Sequence, residues 1–358
     1  MQENNFWNGK KVLVTGHTGF KGCWLTLWLI RLGAKVTGVS LEPDNEKSLF
    51  EGLNLREKLE MHNTIDIRNI EKMRDAVRTC QPDIVFHLAA QALVRVGYRE
   101  PLETWSINVD GSLILLEMLK ELNHKCAVVM VTTDKVYENY EWIQAYRETD
   151  RVGGHDPYSA SKAAAEIAIE SWRKSFCGEG RNQTPYLRIS TARSGNVIGG
   201  GDWSHERIVP DAIMALKENK IIGIRNPEAT RPWQHVLDPL NGYMKLAKEM
   251  LVNDNMPTGA FNFGPAIESN RKVSELVETI LMHWEGEWKK IKDSDAPHEA
   301  KLLHLQIDKA YHVLKWRPNW GFEKTIERTV NWYKSLENGE DPYNLATSDL
   351  NEYERTRK

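Results

Sequence analysis

The sequence predicts an α/β protein built around a doubly wound parallel sheet, with a smaller α/β substrate lobe in its C-terminal half. In residues 1–190, short apolar segments alternate with segments whose apolar residues have helical spacing. The apolar segments are almost continuously hydrophobic, which is typical of parallel strands that helices cover on both faces. A glycine-rich turn joins the first apolar segment to the first helical one.

The elements of the first half follow one another in strict alternation. Strands are predicted at 11–15, 35–39, 61–66, 83–87 and 126–131, and helices at 20–32, 69–80, 102–122 and 158–176. Right-handed crossovers between such strands produce a sheet with helices on both faces. Further helices are predicted at 208–217, 239–250, 273–284 and 322–336.

This order predicts two domains that interleave along the chain. The cofactor-binding domain covers 1–190 and includes a second segment, at about 232–264, where the chain returns to it. Residues 191–231 and 265–340 form the predicted substrate lobe, and 341–358 a polar, mobile tail.

Composition excludes several classes of protein. The 47 basic and 50 acidic residues leave a net charge of -3 and no basic stripe, which argues against a nucleic-acid partner. No apolar run approaches the roughly 18 residues of a membrane span, and the polar N-terminus does not resemble a secretory signal. The four scattered cysteines form no C-x-x-C pair, so we expect neither a disulfide framework nor a metal site, and a cytoplasmic location.

The turn after the first strand carries Gly16, Gly19 and Gly22 in the spacing G-x-x-G-x-x-G. Glycine leaves no Cβ between the backbone and a ligand, and the N-terminus of the following helix favours an anion. At the start of a βαβ unit, this pattern predicts a Rossmann-type dinucleotide site. His17 and Phe20 lie within the same turn, where the ring of His17 would crowd a pyrophosphate and weaken NAD binding.

The end of the second predicted strand distinguishes NAD from NADP. Ser40 stands at its tip, Glu42 and Asp44 lie just beyond, and no arginine stands there to bind a 2′-phosphate. We therefore expect NAD. Asp66 and Ile67, after the third strand, either hold the adenine edge or, in the case of Asp66, cap the next helix.

The fourth predicted strand ends in small residues that allow a cofactor to approach. These residues are Leu88, Ala89 and Ala90. His87, immediately before them, is expected to be a core histidine.

Tyr158 and Lys162 stand four residues apart at the start of a predicted helix. Residues with this spacing share a helix face, so the ammonium is expected to lie near the phenol, lower its pKa and allow it to act as a base. The same lysine can hold a ribose. A second Y-x-x-x-K, formed by Tyr311 and Lys315, has no comparable strand before it and is interpreted as structural.

The strand before this helix ends in Thr133, Asp134 and Lys135. Open α/β sheets carry their chemistry at the carboxyl ends of the strands. Thr133 can hydrogen-bond a substrate hydroxyl, and the next two residues form an acid/base pair.

With these residues the sequence resembles the extended short-chain dehydrogenase/reductase family. Three blocks are similar to its sugar-nucleotide 4,6-dehydratase branch, in particular to the CDP-glucose 4,6-dehydratases: 132–139 (TTDKVYEN), 192–203 (ARSGNVIGGGDW) and 231–238 (RPWQHVLD). The resemblance extends from about residue 8 to about 340.

The resemblance implies a CDP-sugar substrate, bound NAD and a role in deoxysugar synthesis for cell-surface polysaccharide. It makes Tyr158 the base for the sugar 4-hydroxyl, Asp134 the acid for O6 and Lys135 either the base at C5 or an electrostatic stabiliser of the enolate. In the dTDP-glucose relatives a glutamate takes the place of Lys135. Relatives are usually homodimers or homotetramers, and the helices 102–122 and 158–176 are plausible interface faces.

Five further residues are assigned to the substrate region by the same resemblance. Arg193, Asn196 and Arg231 are expected at the diphosphate, Arg95 at the sugar, and Asn108 as a brace of the active-site backbone.

Two other functions share most of these residues. An NAD-dependent 4-epimerase, a decarboxylase or a dehydratase for another base would use Thr133, Tyr158 and Lys162 equally well. The acid/base pair Asp134–Lys135 favours a dehydratase, because epimerisation needs no acid and base at C5 and C6. A non-catalytic NAD-binding regulator would need no such set.

Overall fold

A computed structural model describes residues 5–43, 47–178, 186–204, 206–291 and 302–357 of the chain. Its centre is a parallel sheet of seven strands in the order β11-β6-β5-β4-β1-β2-β3. These strands are β1 (Lys11–Thr15), β2 (Lys35–Ser40), β3 (Met61–Thr64), β4 (Ile84–His87), β5 (Cys126–Val131), β6 (Leu187–Ser194) and β11 (Gly259–Phe263). The predicted α/β fold with a doubly wound parallel sheet is confirmed.

Fourteen α-helices accompany the strands in the described part of the chain. They are α1 (Phe20–Arg31), α2 (Leu49–Gly52), α3 (Leu55–Lys58), α4 (Ile70–Cys80), α5 (Val94–Arg99), α6 (Pro101–Trp105), α7 (Gly111–Leu119), α8 (Pro157–Phe176), α9 (Ile208–Lys217), α10 (Leu237–Val252), α11 (Val273–His283), α12 (Asp308–Leu314), α13 (Phe322–Glu337) and α14 (Pro342–Thr356).

Short strands and turns complete the C-terminal half. The strands are β7 (Val197–Ile198), β8 (Ile222–Ile224), β9 (Thr230–Pro232), β10 (Gln234–His235), β12 (Asn270–Lys272) and β13 (Trp288–Lys290). They pair two by two outside the central sheet, as β10-β7, β12-β9 and β13-β8. Strand β11, by contrast, pairs with β6, so the segment around it returns to the central sheet.

The central strands bury alternate residues in two different layers. Val12 and Val14 of β1 pack with α1 and α10, whereas Leu13 packs with α4 and α7 on the opposite face. Because successive side chains of a strand point to opposite faces, both faces of a strand must be apolar when both are covered. This double burial is the reason for the nearly continuous apolar strands in the sequence.

The helix expected at 102–122 has an irregular centre. A π-helical segment, Ser106–Asp110, separates α6 from α7, although the backbone stays helical through the joints. Such segments occur often at functional sites. Asn108 lies within this one and is buried.

The expectation of a mobile tail after residue 340 is wrong. Residues Pro342–Thr356 form α14, which begins with a cap from Asp341 and buries Leu350 and Tyr353. The Tyr353 hydroxyl donates to Asp238 Oδ1 at 2.7 Å, and Trp28 Nε1 donates to Glu354 Oε1 at 2.8 Å. The apolar residues of α14 recur at helical spacing, a signal that the polar composition of the segment masks.

No described helix is both long enough and apolar enough to cross a membrane.

We predict that α14 contributes to the stability of the whole fold. Leu350→Ala removes a fully buried side chain from the contact with the body and should lower the free energy of unfolding by about 2–5 kcal/mol. Arg355→Ala, on the exposed side of the same helix, is the control and should change it by less than about 0.5 kcal/mol. Equal effects of the two substitutions in chemical denaturation would contradict a packed helix.

Candidate active site

The glycine turn between β1 and α1 is closed by backbone contacts that leave no room for a Cβ. Gly16 has φ +75°, and a Cβ there would lie 2.6 Å from the Ala89 nitrogen. A Cβ on Gly22 would lie 2.0 Å from the carbonyl oxygen of Gly16. These two glycines therefore set the shape of the turn, and Gly16 brings the turn close to the end of β4.

The third glycine of the motif leaves space for a ligand. Gly19 is the N-cap of α1 and is exposed, and a Cβ there would meet its nearest atom at 3.4 Å. Because glycine has no side chain to cap the helix, the first N–H groups of α1 are left for an anion. Phe20 follows as the first residue of α1. Across the turn Leu88, Ala89 and Ala90 are half-buried.

The ring of His17 lies elsewhere than expected. His17 is fully buried, its Nε2 lies 2.7 Å from Nδ1 of His62, and its ring packs edge-on against Phe50. A Cβ on Gly38 would lie 2.5 Å from this ring, so the histidine occupies the space that Gly38 of β2 leaves. The ring therefore does not crowd the anion-binding turn, and the physical reason for expecting weak NAD binding is lost. Burial lowers the pKa of His17 to about 3 and keeps it neutral.

The edge at which an adenosine ribose would lie is polar. Ser40 Oγ lies 2.7 Å from Thr18 Oγ1, and Glu42 accepts hydrogen bonds from Arg56 and Thr64. The hydrogen bond from Arg56 lowers the pKa of Glu42 to about 2. Sequence inspection missed Arg56 because it comes from α3. Asp44 lies outside the described residues.

Asp66 does not cap α4. That role belongs to Asn69, whose side chain accepts from the Lys72 N–H. The Asp66 carboxylate instead accepts from Arg68, from its backbone N–H at 2.9 Å and its Nε at 3.0 Å. Ile67 is buried against Gly111.

Helix α8 brings Tyr158 and Lys162 to the carboxyl end of β5. Asp156 caps the helix by accepting from the Ser159 N–H at 3.0 Å, and Pro157 occupies the first turn. Both Tyr158 and Lys162 are buried. The Lys162 ammonium donates to the carbonyl oxygen of Val131, the last residue of β5, at 3.3 Å.

Burial dominates the protonation of this pair. It raises the pKa of Tyr158 to about 12, although a hydrogen bond with Thr133 opposes the shift, and it lowers the pKa of Lys162 to about 8, although Glu166 opposes that shift. Burial therefore outweighs the hydrogen bond from Thr133 and the charge of Arg207, and the pKa of the phenol in this arrangement is raised and not lowered as the Y-x-x-x-K spacing predicted.

The turn after β5 holds the predicted acid. Thr133 donates to Asp134 Oδ1 at 3.0 Å and accepts from the Lys135 N–H at 3.3 Å. Asp134 is buried, and burial raises its pKa, with Lys135 and Arg231 opposing the shift. A carboxyl group with a raised pKa is suited to donate a proton.

Arg231 lies on β9, near the Asp134 carboxylate. Arg95, on α5, has its Nη1 3.4 Å from Glu206 Oε1. Asn196 stands half-buried between β6 and β7, directly after Gly195, where a Cβ would lie 2.6 Å from Asp134 Oδ2. The structure thus brings Arg231 and the turn at Asn196 to the same edge of the sheet as Asp134.

The expected contact of Arg193 with the substrate diphosphate is wrong. Arg193 is buried and paired with Glu166 of α8, its Nη2 2.9 Å from Oε2, and it also donates to the Tyr137 hydroxyl at 2.9 Å. Its charge is therefore used inside the protein. The resemblance of residues 192–203 to the family could not show this ion pair, because Glu166 lies 27 residues away in the sequence, on α8.

Asn108 is a brace and does not face a substrate. Its side chain accepts from the Gln91 N–H at 3.0 Å and donates to the Gln91 carbonyl at 3.1 Å and to Ser161 at 2.9 Å. It therefore ties the loop after β4 to the first turns of α8.

His87 is a satisfied core histidine. Its ring nitrogens lie 2.8 Å from Thr15 Oγ1 and 3.1 Å from Ser112 Oγ. Burial lowers its pKa to about 3.

Two cations near Asp134 and Tyr158 were missed. Lys21, within the glycine motif, donates to Ser194 Oγ at 2.8 Å, and burial lowers its pKa to about 7. Arg207, just before α9, pairs with Asp202 at 3.1 Å and acts electrostatically on both Lys21 and Tyr158. The sequence offered one sign of a special role for Lys21, because it is a charged residue in an otherwise apolar first turn of α1.

The described residues contain no cluster of metal-ligating side chains.

Comparison with known proteins agrees with this geometry. Residues 13–329 match the family model described as GDP-mannose 4,6 dehydratase. The chain is 42% identical over 354 residues to the CDP-glucose 4,6-dehydratase of Salmonella typhimurium, covering 99% of this chain and 98% of that protein. It is 24% identical to dTDP-glucose 4,6-dehydratase 1 of Escherichia coli, covering 91% and 93%.

Solved structures share the fold at low identity. A dTDP-glucose 4,6-dehydratase from Bacillus anthracis, in complex with NAD, has a TM-score of 0.75 and 20% identity, covering 93% of this chain and 99% of that one. An epimerase from Methanothermobacter thermautotrophicus has a TM-score of 0.78 and 22% identity, covering 94% and 96%.

Fold and site together define an extended short-chain dehydrogenase/reductase. The chain belongs to the GDP-mannose 4,6 dehydratase family of sugar-nucleotide dehydratases, as its motifs predicted.

We predict that the glycines of the turn separate into two roles. Gly22→Ala forces a Cβ against the Gly16 carbonyl and should lower the free energy of unfolding by more than about 1 kcal/mol. Gly19→Ala meets no close protein atom and should leave stability nearly unchanged while weakening NAD binding, measured by quenching of tryptophan fluorescence. Equal stability losses would contradict this division.

Proposed function

We propose that this protein is an NAD-dependent 4,6-dehydratase that converts CDP-D-glucose to CDP-4-keto-6-deoxy-D-glucose. The observation that carries the proposal is the position of Asp134 and Lys135. They follow β5 beside Thr133 and the Tyr158–Lys162 pair, and Asp134 is buried with a raised pKa. Identity of 42% to a CDP-glucose 4,6-dehydratase over nearly the whole chain supports CDP as the nucleotide.

The turn between β1 and α1 fits a dinucleotide. Gly16 and Gly22 make a cradle that a Cβ would fill, and the N-terminus of α1 offers backbone N–H groups to a pyrophosphate. Ser40 and the Asp66–Ile67 segment would border the adenosine half, and Leu88 to Ala90 the opposite wall. NAD, when bound, accepts a hydride from C4 of the sugar and later returns it to C6.

Tyr158 is the proposed base of the oxidation. It takes the proton of the C4 hydroxyl as the hydride leaves C4, while Thr133 holds the same hydroxyl by a hydrogen bond. Since burial raises the pKa of Tyr158 to about 12, the phenolate needs positive charge beside it, which Lys162 provides.

Asp134 and Lys135 are proposed to eliminate water from C5 and C6. The 4-keto group acidifies H5, which Lys135 takes, and Asp134 protonates O6 as the C6–O bond breaks. One water leaves, and C5 regains a proton when the hydride returns to C6. Lys135 either acts as this base or stabilises the enolate by its charge.

Arg231 and Asn196 are the proposed contacts of the diphosphate. Both lie at the edge of the sheet that carries Asp134, and arginine binds phosphate oxygens in pairs. Arg95 is the proposed contact on the side of α5.

An NAD-dependent 4-epimerase or decarboxylase is the alternative, since Thr133, Tyr158 and Lys162 would serve it equally. A non-catalytic NAD-binding regulator would bind NAD without turnover. Each is tested by incubating the protein and NAD with CDP-, dTDP-, GDP- and UDP-glucose. The proposal expects a 4-keto-6-deoxy product from CDP-glucose first of all; an epimer or no product would contradict it.

A second copy of this chain is the proposed partner. Leu102 of α6 and Ile167 of α8 are 86% and 58% exposed, and Trp105 is 40% exposed, on helices that pack together. Exposed apolar residues on adjacent helices support a self-complementary contact.

The reducing cytoplasm is the proposed location, in keeping with the free cysteines Cys23, Cys80, Cys126 and Cys177.

We predict that Lys135→Ala leaves the first hydride transfer largely intact but stops exchange of the C5 hydrogen with solvent. The transfer is followed by the absorbance of the reduced nicotinamide, and exchange by mass spectrometry in deuterated water. Asp134→Asn is the companion variant, in which exchange should persist while elimination slows. Unchanged exchange in Lys135→Ala would remove the base role.

For the assembly, Leu102→Glu should convert an oligomer to a smaller species in light scattering. Ile267→Glu, at a residue 70% exposed in the C-terminal half, is the matched control and should change nothing. A wild-type monomer would refute the proposed contact.

A further inference from the structure

Glu166, which pairs with Arg193, is a buried carboxylate that takes no part in the proposed oxidation, elimination or hydride return. Glu166 lies on α8, four residues after Lys162 and eight after Tyr158, so the three side chains share a helix face. It is 5% exposed and accepts four hydrogen bonds. Their donors are Thr132 Oγ1 at 2.6 Å, Thr191 Oγ1 at 2.7 Å, Arg193 Nε at 3.0 Å and Arg193 Nη2 at 2.9 Å.

These contacts attach α8 to the end of β5 at two consecutive residues. Lys162 donates to the Val131 carbonyl, and Glu166 accepts from the hydroxyl of Thr132. The next residue along the chain is Thr133. The relative position of the two catalytic segments is therefore set by contacts one and two helical turns beyond Tyr158.

Glu166 is also the negative charge beside the Lys162 ammonium. Burial would raise the pKa of Glu166, but the ion pair with Arg193 and the hydrogen bonds from Thr132 and Thr191 outweigh it, so the pKa is lowered and the group is ionised. Lys162 has a pKa lowered by burial to about 8, and Glu166 is the group that opposes this shift.

The other titratable groups around Lys162 do not supply that charge. Lys21 of α1 carries no negative charge in either protonation state, His87 of β4 is neutral because burial lowers its pKa to about 3, and burial raises the pKa values of both Tyr158 and Asp134.

We propose that Glu166 is a positioning residue of the dehydratase, which holds α8 in register with the end of β5 and keeps the Lys162 ammonium charged in its buried site. This inference rests on the proposed function and assigns Arg193 the task of keeping Glu166 ionised. The hydrogen bond from Thr132 to Glu166 then fixes the position of the end of β5 relative to α8.

The sign of the pH dependence follows from the charge. The lysine must be protonated to stabilise a phenolate, so activity falls as pH rises through the pKa of Lys162. Without Glu166 that pKa drops further, and the fall begins at lower pH. A nearby opposite charge shifts a pKa by about 1–3 units, so the alkaline limb of kcat/KM should move down by about 1 unit or more.

The test compares three variants with the wild type across the pH range. Glu166→Gln removes the carboxylate that pairs with the buried Arg193 and is expected to destabilise the fold, so the double variant Glu166→Gln/Arg193→Gln removes both charges together. Thr191→Val removes one hydrogen bond to the same carboxylate without changing any charge. Unfolding by denaturant is measured for each.

The proposal expects the alkaline limb to move down in the glutamine variants and to stay in place in Thr191→Val, even where Thr191→Val is the less stable protein. Activity of the glutamine variants should approach that of the wild type at the acidic end of the profile. A loss of activity that is the same at every pH, in a folded double variant, would overturn the charge role.

We expect the pH dependence of NAD affinity to move to lower pH as well, because Lys162 is also the residue expected to hold the ribose of the cofactor. The pH dependence of NAD binding is therefore a second readout that does not need turnover. A wild type that turns over no sugar nucleotide would defeat the proposed function, and NAD titrations would then test Glu166 alone. Identical pH dependence of NAD binding in wild type and both glutamine variants would overturn the inference.

Discussion

The contact between the carboxyl end of β5 and the first turns of α8 is the constraint on which the site depends. Four side chains of the proposed site meet there, and all are removed from water: Thr133, Asp134, Tyr158 and Lys162. Burying ionisable groups is costly unless each finds a partner, and a low local dielectric strengthens every pairing that is made. Lys162 finds such a partner in the Val131 carbonyl, and the hydrogen bond from Thr132 to Glu166 attaches the same helix one residue further along the chain.

Burial moves the proton affinities of these groups in different directions. It raises those of Asp134 and Tyr158 and lowers that of Lys162. Asp134, the proposed acid, is thereby protonated more readily, while Tyr158, the proposed base, is held as a neutral phenol. In the proposed reaction the phenol therefore depends on positive charge beside it, which Lys162 provides, to lose its proton.

Sequence reasoning was most successful where a signal is local. Buried parallel strands are apolar on both faces, so β1, β4 and β5 were located from composition alone, and the turn at Gly16 to Gly22 was located from spacing. It failed where a side chain is satisfied by a distant element. Arg193 is directed to Glu166 and away from a diphosphate, and His17 turns into the gap above Gly38. Neither partner is near in sequence, so neither pairing could be inferred from local pattern.

The C-terminal helix α14 and the two cations Lys21 and Arg207 were also missed from local sequence pattern. The polar composition of 341–358 concealed a helix whose buried residues recur with helical spacing. Lys21 and Arg207 lie on separate elements and meet near Tyr158 only because the fold brings α1 and the start of α9 together. Residues of this kind are placed by tertiary structure.

In the proposed reaction, a hydrogen leaves C4 of the sugar and is delivered within the same active site to C6. CDP-glucose carrying deuterium at C4 tests it most directly. The account predicts that the deuterium appears in the C6 methyl group of the product, while a solvent hydrogen appears at C5. Product whose methyl group contains no deuterium from C4 would contradict the account, whatever other properties of the protein agree with it.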